Sequence, residues 1–179
     1  RQVKKIKNEN RRLPIFKWEY GNNNIEEDLK KLGEFLGFKS SRPENEIEGT
    51  TLDCLWEDEE KKVVIGFEVK TNKQNQVINN KEVGQSLDHN EWLKTEFSGY
   101  KKLMYVVGDI SFRTSDTNPG DELLCLSLDE IQYISDKISS VYENKDIFPD
   151  DVLNKVTQYK LNIEELFSEN KILDIQISV

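Results

Sequence analysis

Three residues in two short stretches carry the chemistry this sequence can offer. Asp53 sits in Thr51-Leu52-Asp53-Cys54-Leu55-Trp56, and Glu68 and Lys70 sit in Ile65-Gly66-Phe67-Glu68-Val69-Lys70. On a β-strand alternate side chains share a face, so Glu68 and Lys70 point one way while Phe67 and Val69 point the other, into a core. Charges at the end of an otherwise apolar strand are costly to bury unless they are paired or bind a metal ion. If the two stretches pair, Asp53 approaches Glu68, and a divalent cation relieves the repulsion between two close carboxylates. Hard oxygen donors favour Mg²⁺, with Mn²⁺ as a substitute, over zinc. The backbone carbonyl of Val69 offers a third protein ligand. Lys70 then faces the cation and a water, where it can help to deprotonate the water or stabilise charge on a phosphate. The plainer alternative makes Glu68 and Lys70 a cross-strand ion pair on a solvated face, and Asp53 a strand-end cap.

The elements that must position these groups follow from periodicity. Ile25, Leu29, Leu32 and Leu36 form one apolar stripe and predict a helix over Ile25–Leu36, with Asn24 as N-cap and Gly37 as C-cap. A polar loop, Arg42–Gly49, precedes strands over Thr50–Trp56 and Val63–Thr71, which are joined by a charged turn at residues 57–62. After a polar loop, Asn72–Asn80, a second helix is expected over Lys81–Phe97. Strands follow at Lys101–Val107 and Leu123–Leu126, with a loop at Thr114–Gly120 between them. Helices are expected at Asp129–Tyr142, Asp150–Tyr159 and Ile163–Asn170, and Ile172–Val179 alternates like an edge strand. Leu13–Tyr20 reads as a short docking strand. This order predicts an α/β layer fold with a mixed sheet.

Asp53 followed by Glu68-Val69-Lys70 resembles the PD-(D/E)xK nuclease superfamily, whose pattern is an Asp at the end of one strand and a Glu/Asp-x-Lys on the next. The Pro that precedes the Asp in that family is replaced here by Leu52, which leaves the ligand in place. The resemblance covers residues 21–108. It implies a restriction-endonuclease-like αβββαβ core with a mixed central sheet flanked by helices, extended by C-terminal helices. In many members a Glu from the preceding helix joins the metal site. Glu26 is the candidate, because it flanks the apolar stripe on the side of Gly33, where a close approach is possible, whereas Glu27 lies opposite the stripe. Members also often carry a Gln on the helix after the Glu-x-Lys strand, and Gln85 is placed like that residue. Gln85, His89 and Trp92 are expected on one face of that helix, opposite Val83 and Leu87. The implied site is thus Asp53, Glu68, Lys70 and Gln85 for catalysis, with Asp53, Glu68, Val69 and Glu26 as ligands of Mg²⁺ or Mn²⁺. The implied activity is hydrolysis of phosphodiester bonds in DNA, as in restriction, repair or anti-phage defence. Two alternatives stand beside it: a catalytically inactive binding or scaffolding domain on the same fold, and a nuclease acting on RNA.

Composition bounds these readings. The net charge of −9 argues against an autonomous nucleic-acid binder, which usually carries a basic face. The charge is uneven: residues 1–12 hold six Lys/Arg against one Glu. DNA would therefore be delivered by another domain, a partner subunit or this basic arm, and a homodimer is one way to supply the partner. The expected division is an arm or linker at 1–20 and a domain at 21–179, with a core at 21–128 and a helical extension at 129–179. Because the chain starts at Arg1, it reads as part of a longer product. No apolar run approaches the length of a membrane span. Cys54 and Cys125 are expected as buried free thiols in a reducing, cytoplasmic setting. His89, the single histidine, is expected to be structural or at most a neighbour of the ligands, and Trp18, Trp56 and Trp92 to anchor a core or interface. Asp116-x-Asn118-x-Gly120 does not complete a calcium loop, and no P-loop, GxGxxG or Ser/Cys nucleophile motif is present.

Overall fold

A computed structural model describes residues 24–46, 52–71, 74–144 and 149–178. The basic arm, the Leu13–Tyr20 stretch with Trp18, and Thr50 and Thr51 lie outside the described residues. Helix α1 (Ile25–Leu36) has the predicted bounds, buries Ile25, Leu29, Leu32 and Leu36, and ends on Gly37 in the left-handed region at φ 92°. Asn24 occupies the N-cap position without a side-chain capping bond. Strand β1 (Lys39–Ser41) and a single helical turn, α2 (Pro43–Glu46), follow.

Strands β2 (Cys54–Asp58) and β3 (Val63–Val69) pair antiparallel, with Cys54 opposite Phe67 and Asp58 opposite Val63. The hairpin is shifted from the predicted one for two reasons. At its far end Asp58 accepts from the amides of Glu60 and Lys61 at 3.1 and 3.0 Å, so β2 runs two residues past Trp56 before the turn begins. Burial opposes ionisation of Asp58, but those amides and Lys160 outweigh it and hold the carboxyl below its ordinary range. At the near end the Asp53 side chain, not a backbone carbonyl, takes the N–H of Val69, so the ladder starts only at Cys54.

A short strand β4 (Val77–Ile78) lies in the predicted loop. Helix α3 (Asn80–Glu96) is opened by an Asn79–Glu82 capping box and leads to β5 (Lys101–Val107), which is parallel to β3. Parallel neighbours need such a crossover. After β6 (Phe112–Thr114), β7 (Leu123–Leu126) adds in parallel to β5, and α4 (Leu128–Glu143) begins at an equivalent Ser127–Glu130 box. The result is a mixed five-stranded sheet, β1-β2-β3-β5-β7, flanked by helices.

One face of the sheet, with Trp56, Phe67 and Tyr105, packs under α1 and α4. The other, with Leu55, Val64 and Met104, packs against Val83 and Leu93 of α3. On the first face the indole of Trp56 donates to the Leu29 carbonyl at 3.0 Å. A Cβ on Gly33 would come within 2.3 Å of its Nε1, so the close approach expected at Gly33 is made by Trp56. Helix α5 (Pro149–Leu161) and the turn α6 (Ile163–Leu166) complete the helices. The last is shorter than predicted because Phe167 leaves helical geometry to bury its ring beside Tyr105, centroids 5.2 Å apart. Ile172 is fully buried in a 3₁₀ turn, so only Gln176–Ser178 forms β8, at the edge of a second sheet ordered β4-β6-β8. Among the described residues no helix is long and apolar enough to cross a membrane.

Candidate active site

Extending the β2–β3 register one step beyond Cys54–Phe67 brings Asp53 opposite Glu68. The Asp53 carboxylate accepts from the Val69 N–H at 2.6 Å, which fixes it at the mouth of the hairpin. The next residue along, Lys70, is held to β5 by its amide, which donates to the Val107 carbonyl at 2.8 Å. A Cβ on Gly108 would lie 2.3 Å from the Lys70 carbonyl, so β5 must turn away through a glycine here. Glu68 is 3% exposed, which rules out the solvated-face reading of the Glu68/Lys70 pair.

The Glu68 carboxylate is gripped on both oxygens. Oε1 accepts from Lys70 Nζ at 2.6 Å, and Oε2 lies 2.6 Å from His89 Nδ1. Lys70 Nζ also reaches Gln85 Oε1 at 3.4 Å. Burial and, after it, the charge of Glu68 push the Asp53 carboxyl up to about 8, against the pull of the Val69 N–H. Glu44 and Glu26 add to the rise, so both lie near enough for their charges to act on Asp53. Arg42 offsets part of this negative charge: its guanidinium meets Glu44 at 2.6 Å and Glu27 at 3.6 Å. The thiols of Cys54 and Cys125 are free, and burial pushes both up to about 12, so neither offers a thiolate nucleophile near neutral pH.

Asp53, Glu68, Lys70 and Gln85 therefore come together, and Glu26 borders them. Val69 contributes its N–H to the cluster through Asp53. Gln85 and His89 do not lie opposite the buried face of α3. They flank it, because that face is Val83, Ser86, Asn90 and Leu93 rather than Val83 and Leu87 alone. Trp56 is fully buried in the core and Trp92 packs against the apolar residues on the α3 side of the sheet. The contact of His89 with Glu68 makes it the neighbour of the ligands that the sequence allowed without naming its partner, whereas sequence reasoning missed Glu44 and Arg42 altogether. The four-residue spacing of Gln85 and His89 was the available signal for that contact. Glu44 sits on a single helical turn inside a polar stretch and gave none.

Among the described residues, no three Asp, Glu, His or Cys side chains converge to hold a metal ion by themselves. The donor set at Asp53 and Glu68 is two carboxylates. That suits Mg²⁺, which is usually bound through one or two carboxylates with waters and substrate phosphates, and does not suit a structural zinc. No protein-family model, curated protein or solved structure matches the chain.

Proposed function

We propose that this chain is a metal-dependent nuclease domain of the PD-(D/E)xK type, with a restriction-endonuclease-like αβββαβ core, that hydrolyses phosphodiester bonds in DNA. The observation that carries the reading is the convergence of Asp53 and Glu68 from adjacent strands, beside Lys70, with Asp53 pushed up to about 8. A buried acid, Glu68, and a half-buried one, Asp53, whose repulsion is only partly relieved within the protein form a site that favours an added cation. A divalent cation bound there would polarise the phosphate and make a water more acidic.

The chain's own residues do the remainder. Asp53 and Glu68 hold the cation, with Glu26 as a further acidic neighbour. Lys70, two residues from Glu68 on the same strand end, keeps an ammonium against the reacting phosphate or the attacking water. Gln85 takes one hydrogen bond of Lys70 and so aims it. The excess of acidic residues supports delivery of DNA by another domain or subunit, or by the arm at residues 1–12. Free buried thiols fit a reducing compartment such as the cytoplasm.

The test is cleavage of plasmid DNA with Mn²⁺ or Mg²⁺ by the parent, Asp53→Ala and Lys70→Ala. The expected result is cleavage by the parent and a loss of about 100-fold or more in each variant, the scale of removing a group that acts in the transition state. Equal activity in all three overturns the site. A parent that binds metal yet cleaves neither DNA nor RNA is a scaffolding domain instead.

A further inference from the structure

The grip on Glu68 comes from two elements. Lys70, on the same strand end, takes Oε1, and His89, one turn beyond Gln85 on α3, takes Oε2. The Glu68 side chain is 5% exposed and that of His89 15%, so little water competes for the contact. Facing an acceptor oxygen, Nδ1 is the nitrogen that carries the proton. The carboxylate has been taken out of solvent, and each of its oxygens has a fixed partner. With Oε2 turned to α3, Oε1 is the oxygen on the side of Lys70.

We infer that His89 is a positioning residue that locks the Glu68 carboxylate in the orientation that presents Oε1 to a divalent cation. This rests on the nuclease reading above but adds a residue that the reading does not require. In this role the imidazole would act on the cation through its hold on Glu68. Removing a partner that orients a ligand typically lowers metal affinity about 10- to 100-fold. The geometry also sets which substitutes can work. The amide nitrogen of Asn is placed like Nδ1 of His, whereas that of Gln is placed like Nε2, so Asn at this position keeps the donor and Gln misplaces it.

The experiment is a Mn²⁺ titration of the purified chain, reading free Mn²⁺ by electron paramagnetic resonance, for the parent, His89→Ala, His89→Asn and His89→Gln, with a thermal melt of each without metal. The expected result is about tenfold or greater weakening in His89→Ala and His89→Gln, affinity close to the parent in His89→Asn, and similar melts for all four. His89→Ala and His89→Gln binding Mn²⁺ as well as the parent, or His89→Asn binding as poorly as His89→Gln, overturns the inference while leaving the metal site intact. A parent that binds no Mn²⁺ overturns the metal site, and the inference with it.

Discussion

On one face of the central sheet Trp56, Phe67 and Tyr105 stack beneath α1 and α4, with Trp56 and Phe67 centroids 4.5 Å apart and Phe38 stacked on Trp56 at 5.4 Å. On the other face α3 crosses Gly66, where an added Cβ would meet Met104 Sδ at 3.0 Å and Leu93 at 3.4 Å. Its buried residues are Val83, Ser86, Asn90 and Leu93, half of them polar. The first face is closed by large side chains that leave no room. The second is closed by a helix whose footing is small and hydrogen-bonded, and which carries Gln85 and His89 to the edge of its contact. The difference teaches where this fold can hold charge. Asp53 and Glu68 lie at the end of the sheet where α3, not the aromatic layer, stands over them.

The sharpest way to break the comparison is to truncate the aromatic face. Trp56→Ala removes the largest fully buried side chain and its bond to the Leu29 carbonyl. The expected loss is about 3–5 kcal/mol, measured by urea denaturation, because the neighbouring rings cannot collapse into the space. A loss under about 1 kcal/mol, the scale of a surface change, would mean that this face is not the rigid one.

The next effect separates the faces by pH. Asp53 is pushed up to about 8, so between the ordinary carboxylate range and pH 8 the folded chain holds a proton that the unfolded chain has released. Stability therefore falls as pH rises through that window and levels off above it. Asp53→Asn keeps an oxygen for the Val69 N–H but cannot ionise. In metal-free buffer it should flatten the decline in melting temperature between pH 5 and 9, and it should also abolish any rise in melting temperature on adding Mn²⁺. A parent whose melting temperature climbs steadily from pH 5 to 9 would show that Asp53 is ionised at no cost, and that the acidic pair is not strained.

What the sequence revealed follows the same division. The aromatic face was legible because α1 repeats its apolar residues at helical spacing, and because Val63 to Phe67 is a short, β-branched apolar run bounded by a charged turn, the pattern of a buried strand. The shared face of Glu68 and Lys70 was legible from strand alternation, and pairing brings Asp53 towards them, but the register that sets Asp53 opposite Glu68 depends on β2 reaching Asp58. The polar face was not. Ser86 and Asn90 are polar residues on a helix of weak amphipathicity, so periodicity does not mark the buried stripe of α3 or say which residue His89 meets. The one-residue substitution of the Asp53 side chain for a backbone acceptor, and the extension of β2 to Asp58, depend on single side-chain bonds that no periodicity records. Glu44 depends on a helix of one turn, too short to show a period at all.

The smallest expected effect probes the footing of α3 itself. Ser86 is fully buried, yet its hydroxyl bonds to the Glu82 carbonyl one turn back on its own helix at 3.0 Å. That bond does not tie the helix to the sheet, and such back-bonding slightly disfavours a helix. Ser86→Ala loses one modest hydrogen bond, worth about 1 kcal/mol, leaves no buried donor unsatisfied and gains helix propensity of roughly 0.5 kcal/mol. The net change by urea denaturation should therefore stay within about 0.5 kcal/mol, the range of an ordinary surface substitution, despite the complete burial of the side chain. Size is what this face selects at position 86, because the helix must come close to the sheet. A loss above about 2 kcal/mol would assign the hydroxyl a bond that anchors α3, and the two faces would then be equally rigid.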